Sequence, residues 1–295
     1  MNKVLKYIYN IFPFKKELFL LLKKIWTPES RIYRHLHFKG VFKIDLDKLK
    51  SFKIKHYGYE IENDFFWVGP TNGFEKESIK LWIKLCEDSD IILDIGANTG
   101  IYSLIAKTIN PNAKVYAFEP VKRVFAKLKE NVALNSFDII SSEKAVSNAD
   151  GFAVFYDPGS EHVYSVTVNK NLSHESIHVV ETKIETITLD SFTKQNNLPK
   201  IDLIKIDVET HEPEVLEGFS EYLNLFKPTM LIEILEESVG KKINTLVAGS
   251  GYLYYNINEG GNVHQVERIT KSDNYNYLLC SPETAAKIGL EYTVY

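Results

Sequence analysis

From about residue 74 onward, short runs that are mostly apolar alternate with longer stretches in which apolar positions recur every third or fourth residue. The runs at Ile91–Ile95, Val115–Phe118, Ile201–Glu209 and Met230–Ile234 have the Ile, Leu and aromatic content of strands buried on both faces of a parallel sheet. A third strand of this set is expected over 139–146. Helical spacing predicts helices over 74–85, 100–109 and 121–134, the last with Val121, Val124, Phe125, Leu128 and Val132 on one stripe. A short helix over 213–217 stops at Gly218, and another begins at Thr188-Leu189-Asp190. Beyond residue 240 the pattern gives a helix over 243–248 and strands over 252–257, 264–269 and 275–279. The expectation is a doubly wound α/β sheet, mostly parallel, with one antiparallel edge strand.

The first 73 residues read differently. Two short amphipathic helices fill 1–26, broken at Pro13, with Leu18, Phe19, Leu21, Leu22, Ile25 and Trp26 making an apolar face among Lys15, Lys16, Lys23 and Lys24. Alternation then takes over from Phe38 to Trp67, predicting a small β hairpin dense in aromatic residues (Tyr57, Tyr59, Phe65, Phe66, Trp67). Such residues form a core or stack on a sugar ring. The division expected is 1–73 as an N-terminal extension, a cap over the active site or an oligomer arm, and 74–295 as the cofactor-binding domain. Contact of the amphipathic arm with a membrane surface stays open. A spanning helix does not, because the longest apolar run, Leu18 to Leu22, is far short of the roughly 20 residues a bilayer needs.

Chemistry concentrates where the strands end. The run Ile91–Ile95 enters a turn made of Gly96, Ala97, Asn98, Thr99 and Gly100, and a helix starts at once. A strand that stops at glycines and restarts as a helix presents backbone N–H groups to a ligand. The pattern Asp94-x-Gly96-x-Asn98-x-Gly100 differs from the G-x-G-x-x-G of dinucleotide folds and carries an acid where a pyrophosphate would approach. That acid suits S-adenosylmethionine (SAM), which is cationic and has no phosphate. Twenty-five residues on, Glu119 ends the next strand, followed by Pro120, at the place where a carboxylate accepts the hydroxyls of an adenosine ribose. By position at the end of the third strand, Lys144 and Ala145 are adenine neighbours.

The fourth strand runs into Asp207-Val208-Glu209-Thr210-His211-Glu212, four ionisable groups within six residues. Methyl transfer to a hydroxyl needs a base, and crowding of like charges tunes such groups toward that task. Asp207, Glu209, His211, Glu212 and, from the fifth strand, Glu233 are therefore the catalytic candidates. An alternative use of Asp207, Glu209 and Glu233 is as hard oxygen ligands for a divalent metal, which the sequence leaves undecided. Lys205, between Ile204 and Ile206, reads as an ion-paired structural residue. The polar segment from Gly159 to Ser165 is either a closing loop or a plain one.

Composition narrows the picture modestly. Of the 295 residues 44% are apolar and 25% charged, as in an ordinary water-soluble chain, and two cysteines outside any C-x-x-C pair give neither a disulfide framework nor a cysteine zinc site. The reducing cytoplasm is the default compartment, with its membrane's inner face as an open variant. Residues 1–60 hold 14 Lys or Arg against 5 Asp or Glu, a balance of +9 in a chain of net −4, so the arm suits an anionic partner. Nothing points to nucleic acid.

The landmarks Asp94 to Gly100, Phe118-Glu119-Pro120, Thr188-Leu189-Asp190, Ile204 to Glu209 and Pro228 to Glu233, in this order, resemble the FkbM family of SAM-dependent methyltransferases. The resemblance covers about residues 75 to 250. It implies a Rossmann-like class I methyltransferase sheet and O-methylation of a hydroxyl on a sugar or another natural product, the sugar being nucleotide-linked or glycan-linked in surface polysaccharide assembly. The family's usual D-V-E-G-x-E falls on Asp207, Glu209 and Glu212, with Thr210 in the glycine's place. A lipid or polyketide hydroxyl is the alternative acceptor, and a non-catalytic membrane-surface or assembly module the alternative role.

Overall fold

The computed structural model describes residues 13–58, 60–157 and 180–293. The chain forms two compact units, Met1–Lys76 and Glu77–Tyr295.

In the first unit, helices α1 (Lys15–Ile25) and α2 (Ser30–Tyr33) precede an antiparallel hairpin of β1 (Gly40–Asp45) and β2 (Ser51–His56), and α3 (Glu60–Trp67) follows. The first of the two helices expected before Pro13 lies outside the described residues. Helix α3 corrects the strand reading past His56. Gly58, at φ +106°, turns the chain, and Glu62, Phe65 and Phe66 then bury at helical spacing, so tertiary packing overrides the β propensity of the aromatics. Of the expected aromatics Phe65, Phe66 and Trp67 are core, Tyr57 is half-buried and Tyr59 lies outside the described residues; Phe19, Phe38, Phe42, Phe66 and Trp67 pack with ring centres 4.8–6.5 Å apart, edge to face except for the tilted Phe19–Trp67 pair. Buried His56 accepts from Gly58 N at 3.0 Å through Nδ1, which leaves Nε2 to donate to Asn63 Oδ1 at 3.2 Å. Burial lowers its pKa to about 4.

The second unit alternates strand and helix as the pattern requires: α4 (Lys76–Cys86), β3 (Ile91–Ile95), α5 (Ile101–Ile109), β4 (Lys114–Phe118), α6 (Lys122–Asn135), β5 (Ile140–Ser142), β6 (Ala145–Val146), β7 (Gly151–Asp157), β8 (Val180–Ile187), α7 (Leu189–Gln195), β9 (Leu203–Ile206), α8 (Glu212–Glu217), α9 (Leu223–Phe226), β10 (Thr229–Glu233), α10 (Glu237–Leu246), β11 (Leu253–Asn258), β12 (Asn262–Val266), β13 (Asn276–Cys280) and α11 (Pro282–Ile288). Eight strands form one sheet in the order β12-β11-β13-β10-β9-β3-β4-β5. From β5 to β10 all pairings are parallel. The fold class is the expected α/β one, but antiparallel pairing extends over β13, β11 and β12 instead of ending at one edge strand.

Two further differences bear on the site. The strand expected over 139–146 breaks at Glu143-Lys144 into β5, in the main sheet, and β6, which joins β8 and β7 in a separate three-stranded sheet. The inserted hairpin is β7 and β8, and the segment Gly159 to Ser165 lies outside the described residues. Every residue of β3 and β9 is buried, as is every residue of α5, so the carboxyl ends of these strands are held by a core that leaves little freedom to the loops leaving them.

Candidate active site

The sheet brings the two predicted clusters together, because β3 lies between β4 and β9. At the end of β3 the turn folds back on β4: Gly96 N and Ala97 N both donate to Phe118 O, at 3.0 and 2.9 Å. Gly96, Asn98 and Gly100 all take left-handed backbone, at φ +78°, +52° and +91°, which glycine adopts freely and asparagine tolerates. A Cβ on Gly100 would stand 2.4 Å from Leu128 Cδ1, so α6 packs against that glycine. Asn131, fully buried on α6, ties the turn again by donating to Thr99 O at 2.8 Å.

Glu119 sits at the tip of β4 with 6% of its surface exposed. Its two carboxylate oxygens accept from Asn98 N at 3.0 Å and Val121 N at 2.8 Å, so one side chain joins both turns. Burial raises its pKa to about 7, against the pull of those two N–H groups and of Arg123, with Asp94 pushing it further up. Pro120 follows it beside a groove of about 750 Å³ whose walls include Val121, Arg123, Glu143, Ile184 and Glu185. Lys144 ion-pairs with Glu185 at 2.5 Å at that groove, while Ala145 is buried in β6.

Asp94 is committed to the fold by one oxygen. Oδ2 accepts from Ser103 N at 2.9 Å and Ser103 Oγ at 2.6 Å, which caps the first turn of α5. Oδ1 is buried and meets no hydrogen-bond donor among the described residues. Burial raises the Asp94 pKa, Lys205 and the Ser103 donors oppose that, and Asp207 adds to it. Lys205 is the register neighbour of Asp94 across the β3–β9 ladder. Its ammonium lies 2.7 Å from Asp207 Oδ2 and 4.5 Å from the centre of the Tyr102 ring. The sequence reading of Lys205 as ion-paired is what the side chain does, and its position between the two carboxylates adds an electrostatic role at the site.

The loop after β9 places the remaining candidates unequally. Glu209 and Thr210 are both left-handed, at φ +55° and +76°, a strained choice for a β-branched threonine. Glu212 is fully buried, and its Oε1 accepts from Val208 N at 3.1 Å and Thr210 N at 3.3 Å. Burial pushes its pKa up to about 8. One oxygen of its carboxyl faces the backbone of its own loop and holds that bend, while Oε2 is buried and meets no hydrogen-bond donor among the described residues.

His211 reaches beyond its own loop. Its Nε2 is 2.9 Å from Ser147 Oγ, and Nδ1 is 3.5 Å from Glu214 Oε2, so the carboxylate favours the tautomer protonated at Nδ1 and Nε2 is left to accept. Burial lowers the His211 pKa, Glu214 and Glu217 raise it, and Lys242 lowers it. Ser147, just past β6, was not foreseen; only the split of the third strand reveals it. Asp207 directly follows β9 and Glu233 ends β10, the latter half-buried and in register with Asn276. Among the described residues no three His, Cys, Asp or Glu side chains are grouped to hold a metal ion.

A parallel sheet that ends β3 in a glycine turn, joins it to an acid at the tip of β4 and crowds ionisable groups at β9 defines the methyltransferase class of α/β folds. The family model for the methyltransferase FkbM domain matches residues 94–254, more than half of the chain, and the chain belongs to this family of SAM-dependent methyltransferases. It is 30% identical over 149 residues to the hexuronic acid methyltransferase AglP of Haloferax volcanii, covering 50% of this chain and 58% of AglP. It is 30% identical over 191 residues to methyltransferase sdnD of Sordaria araneosa, covering 55% and 73%. With the 2-O-methyltransferase NoeI of Sinorhizobium fredii it shares 31% over 155 residues, covering 48% and 62%. The match therefore spans less than two thirds of AglP and of NoeI.

Proposed function

We propose that the chain is a SAM-dependent O-methyltransferase acting on a sugar hydroxyl, nucleotide-linked or glycan-linked, in cytoplasmic assembly of a surface polysaccharide. The observation that carries the cofactor reading is Glu119, a buried carboxylate whose backbone partners leave further lone pairs for two hydroxyls of a ribose. Gly96, Ala97 and Asn98 supply the floor, the open oxygen of Asp94 adds negative potential suited to a cation, and Pro120, Lys144 and Ala145 border the adenine side. Bound SAM supplies an electrophilic methyl group on a sulfonium. The chain's own part is to hold the acceptor oxygen in line and take its proton. His211 Nε2, now facing Ser147 Oγ, is the base, with Glu214 fixing its tautomer; Asp207, Glu209 and Glu233 line the acceptor side. The name of AglP supports a sugar acid as acceptor and that of NoeI supports transfer to oxygen.

Calorimetric titration with S-adenosylhomocysteine tests the cofactor reading. We expect binding that tightens about tenfold as pH rises from about 6 to 8, because the hydroxyls need the ionised form of Glu119. In Glu119→Gln the affinity should be weaker and independent of pH over that range. Equal affinity in the variant would place the ribose elsewhere. Incubation with SAM and a panel of uronic acids, sugar nucleotides and simple alcohols should then give a mass gain of one methyl group on the sugars; gain on the alcohols alone would favour the small-molecule acceptor.

A further inference from the structure

Helix α1 packs on the first unit through one narrow face: Phe19 is buried against Phe38 and Trp67, and Lys23 donates to Phe66 O. The opposite face holds Phe14, Leu18, Leu21 and Ile25, spaced four, three and four residues apart. At 100° per residue these fall within about 60° of helix circumference. Ile25 is 83% exposed, Phe14 63% and Leu21 62%, and exposed Trp26 ends the row. Solvated helices do not ordinarily turn a continuous apolar stripe to water. The helix also carries Lys15, Lys16, Lys23 and Lys24 against a single acid, Glu17, in a segment whose balance over residues 1–60 is +9. The hairpin repeats the chemistry, since Leu49, 94% exposed, stands at the β1–β2 turn between Lys48 and Lys50.

We infer that this stripe docks on an anionic membrane surface, with α1 lying in the headgroup plane. An apolar row with a tryptophan at one end and Lys15 and Lys24 on its two flanks matches the layering of an interface, where apolar side chains reach the acyl boundary and ammonium groups meet phosphates; Lys16 and Lys23 lie on the opposite face. A seam between two copies fits less well. A stable interface takes about 20–30 residues from each side, while the stripe offers five, and a symmetric seam would set the lysines of one copy against those of the other. Among the described residues no helix is long and apolar enough to cross a membrane. Docking of this kind would bring the enzyme to acceptors carried on lipid.

Flotation of the full chain with vesicles tests the inference, using phosphatidylcholine alone and phosphatidylcholine with a third of its lipid replaced by phosphatidylglycerol. Binding should require the anionic lipid and weaken with added salt. Leu21→Glu with Ile25→Glu should lower the partition coefficient about tenfold or more, because each change removes buried apolar surface and adds repulsion. Both positions are exposed, so folding is expected to be retained and is checked by circular dichroism. Absence of binding, binding that ignores lipid charge, or equal binding of the double variant would overturn the inference. So would sedimentation equilibrium showing a dimer that the double variant dissociates.

Discussion

Gly96 stands directly against the carbonyl of Asp207: a Cβ built on it would lie 1.8 Å from that oxygen. The cofactor turn and the loop bearing the catalytic candidates are thus in backbone contact, and Asp207 N donates to Ile95 O at 3.0 Å from the other side of the same joint. Gly96→Ala must meet both that clash and φ +78°, so the strand ends have to part. The expected loss is about 3 kcal/mol, from the left-handed conformation and the overpacking together. Denaturant unfolding should show it, and affinity for S-adenosylhomocysteine should fall with it. Unchanged stability would mean that β9 gives way freely, and the two loops would then be independent.

The features legible in the sequence were those set by local pattern. The runs at Ile91–Ile95 and Leu203–Ile206 sit in a buried parallel sheet because all but one residue of each, Asp94 and Lys205, are apolar, and the glycines of the turn are where positive φ and close packing require them. Helix α11 also carries its own local signals: Ser281 caps it, Pro282 starts it and Gly289, at φ +79°, ends it. What could not be read depended on distant partners. Asn63 belongs to a helix because His56 and the Tyr33 carbonyl, 7 and 30 residues away, hold it. The pairing of Ser147 with His211 spans 64 residues and arises only because β6 leaves the main sheet. Likewise the burial of Glu212 against the backbone of its own loop has no sequence signal.

That burial makes a prediction about stability. The Glu212 pKa is about 8 in the folded chain against an ordinary 4.5, so the folded state keeps a proton that the unfolded state has lost. Stability attributable to this group is therefore intact below about pH 4.5 and declines as pH rises toward 8. Glu212→Gln keeps the acceptor for Val208 N and Thr210 N and removes the ionisation. Relative to the parent, the variant should gain about 1 kcal/mol or more between about pH 5 and pH 8. Urea unfolding at the two pH values measures it, and a difference that does not change with pH would show that Glu212 is ionised in the folded protein.

Assigning the base to His211 makes a prediction about turnover. His211→Ala should lower kcat by about a hundredfold or more, the usual range for a lost general base, while affinity for S-adenosylhomocysteine stays the same because no ribose contact is removed. Ser147→Ala tests the relay more gently and should cost less. The discriminating variant is Glu214→Gln. Glu214 raises the His211 pKa, and Glu217 does so to a smaller degree, against the lowering by burial and Lys242. Removing the Glu214 charge makes His211 easier to deprotonate, so the acid limb of the kcat profile should move to lower pH even as the looser tautomer reduces the maximum. A purely structural His211 would leave that limb in place. In that case Glu209, on its strained backbone at the end of the same strand, becomes the group to replace next.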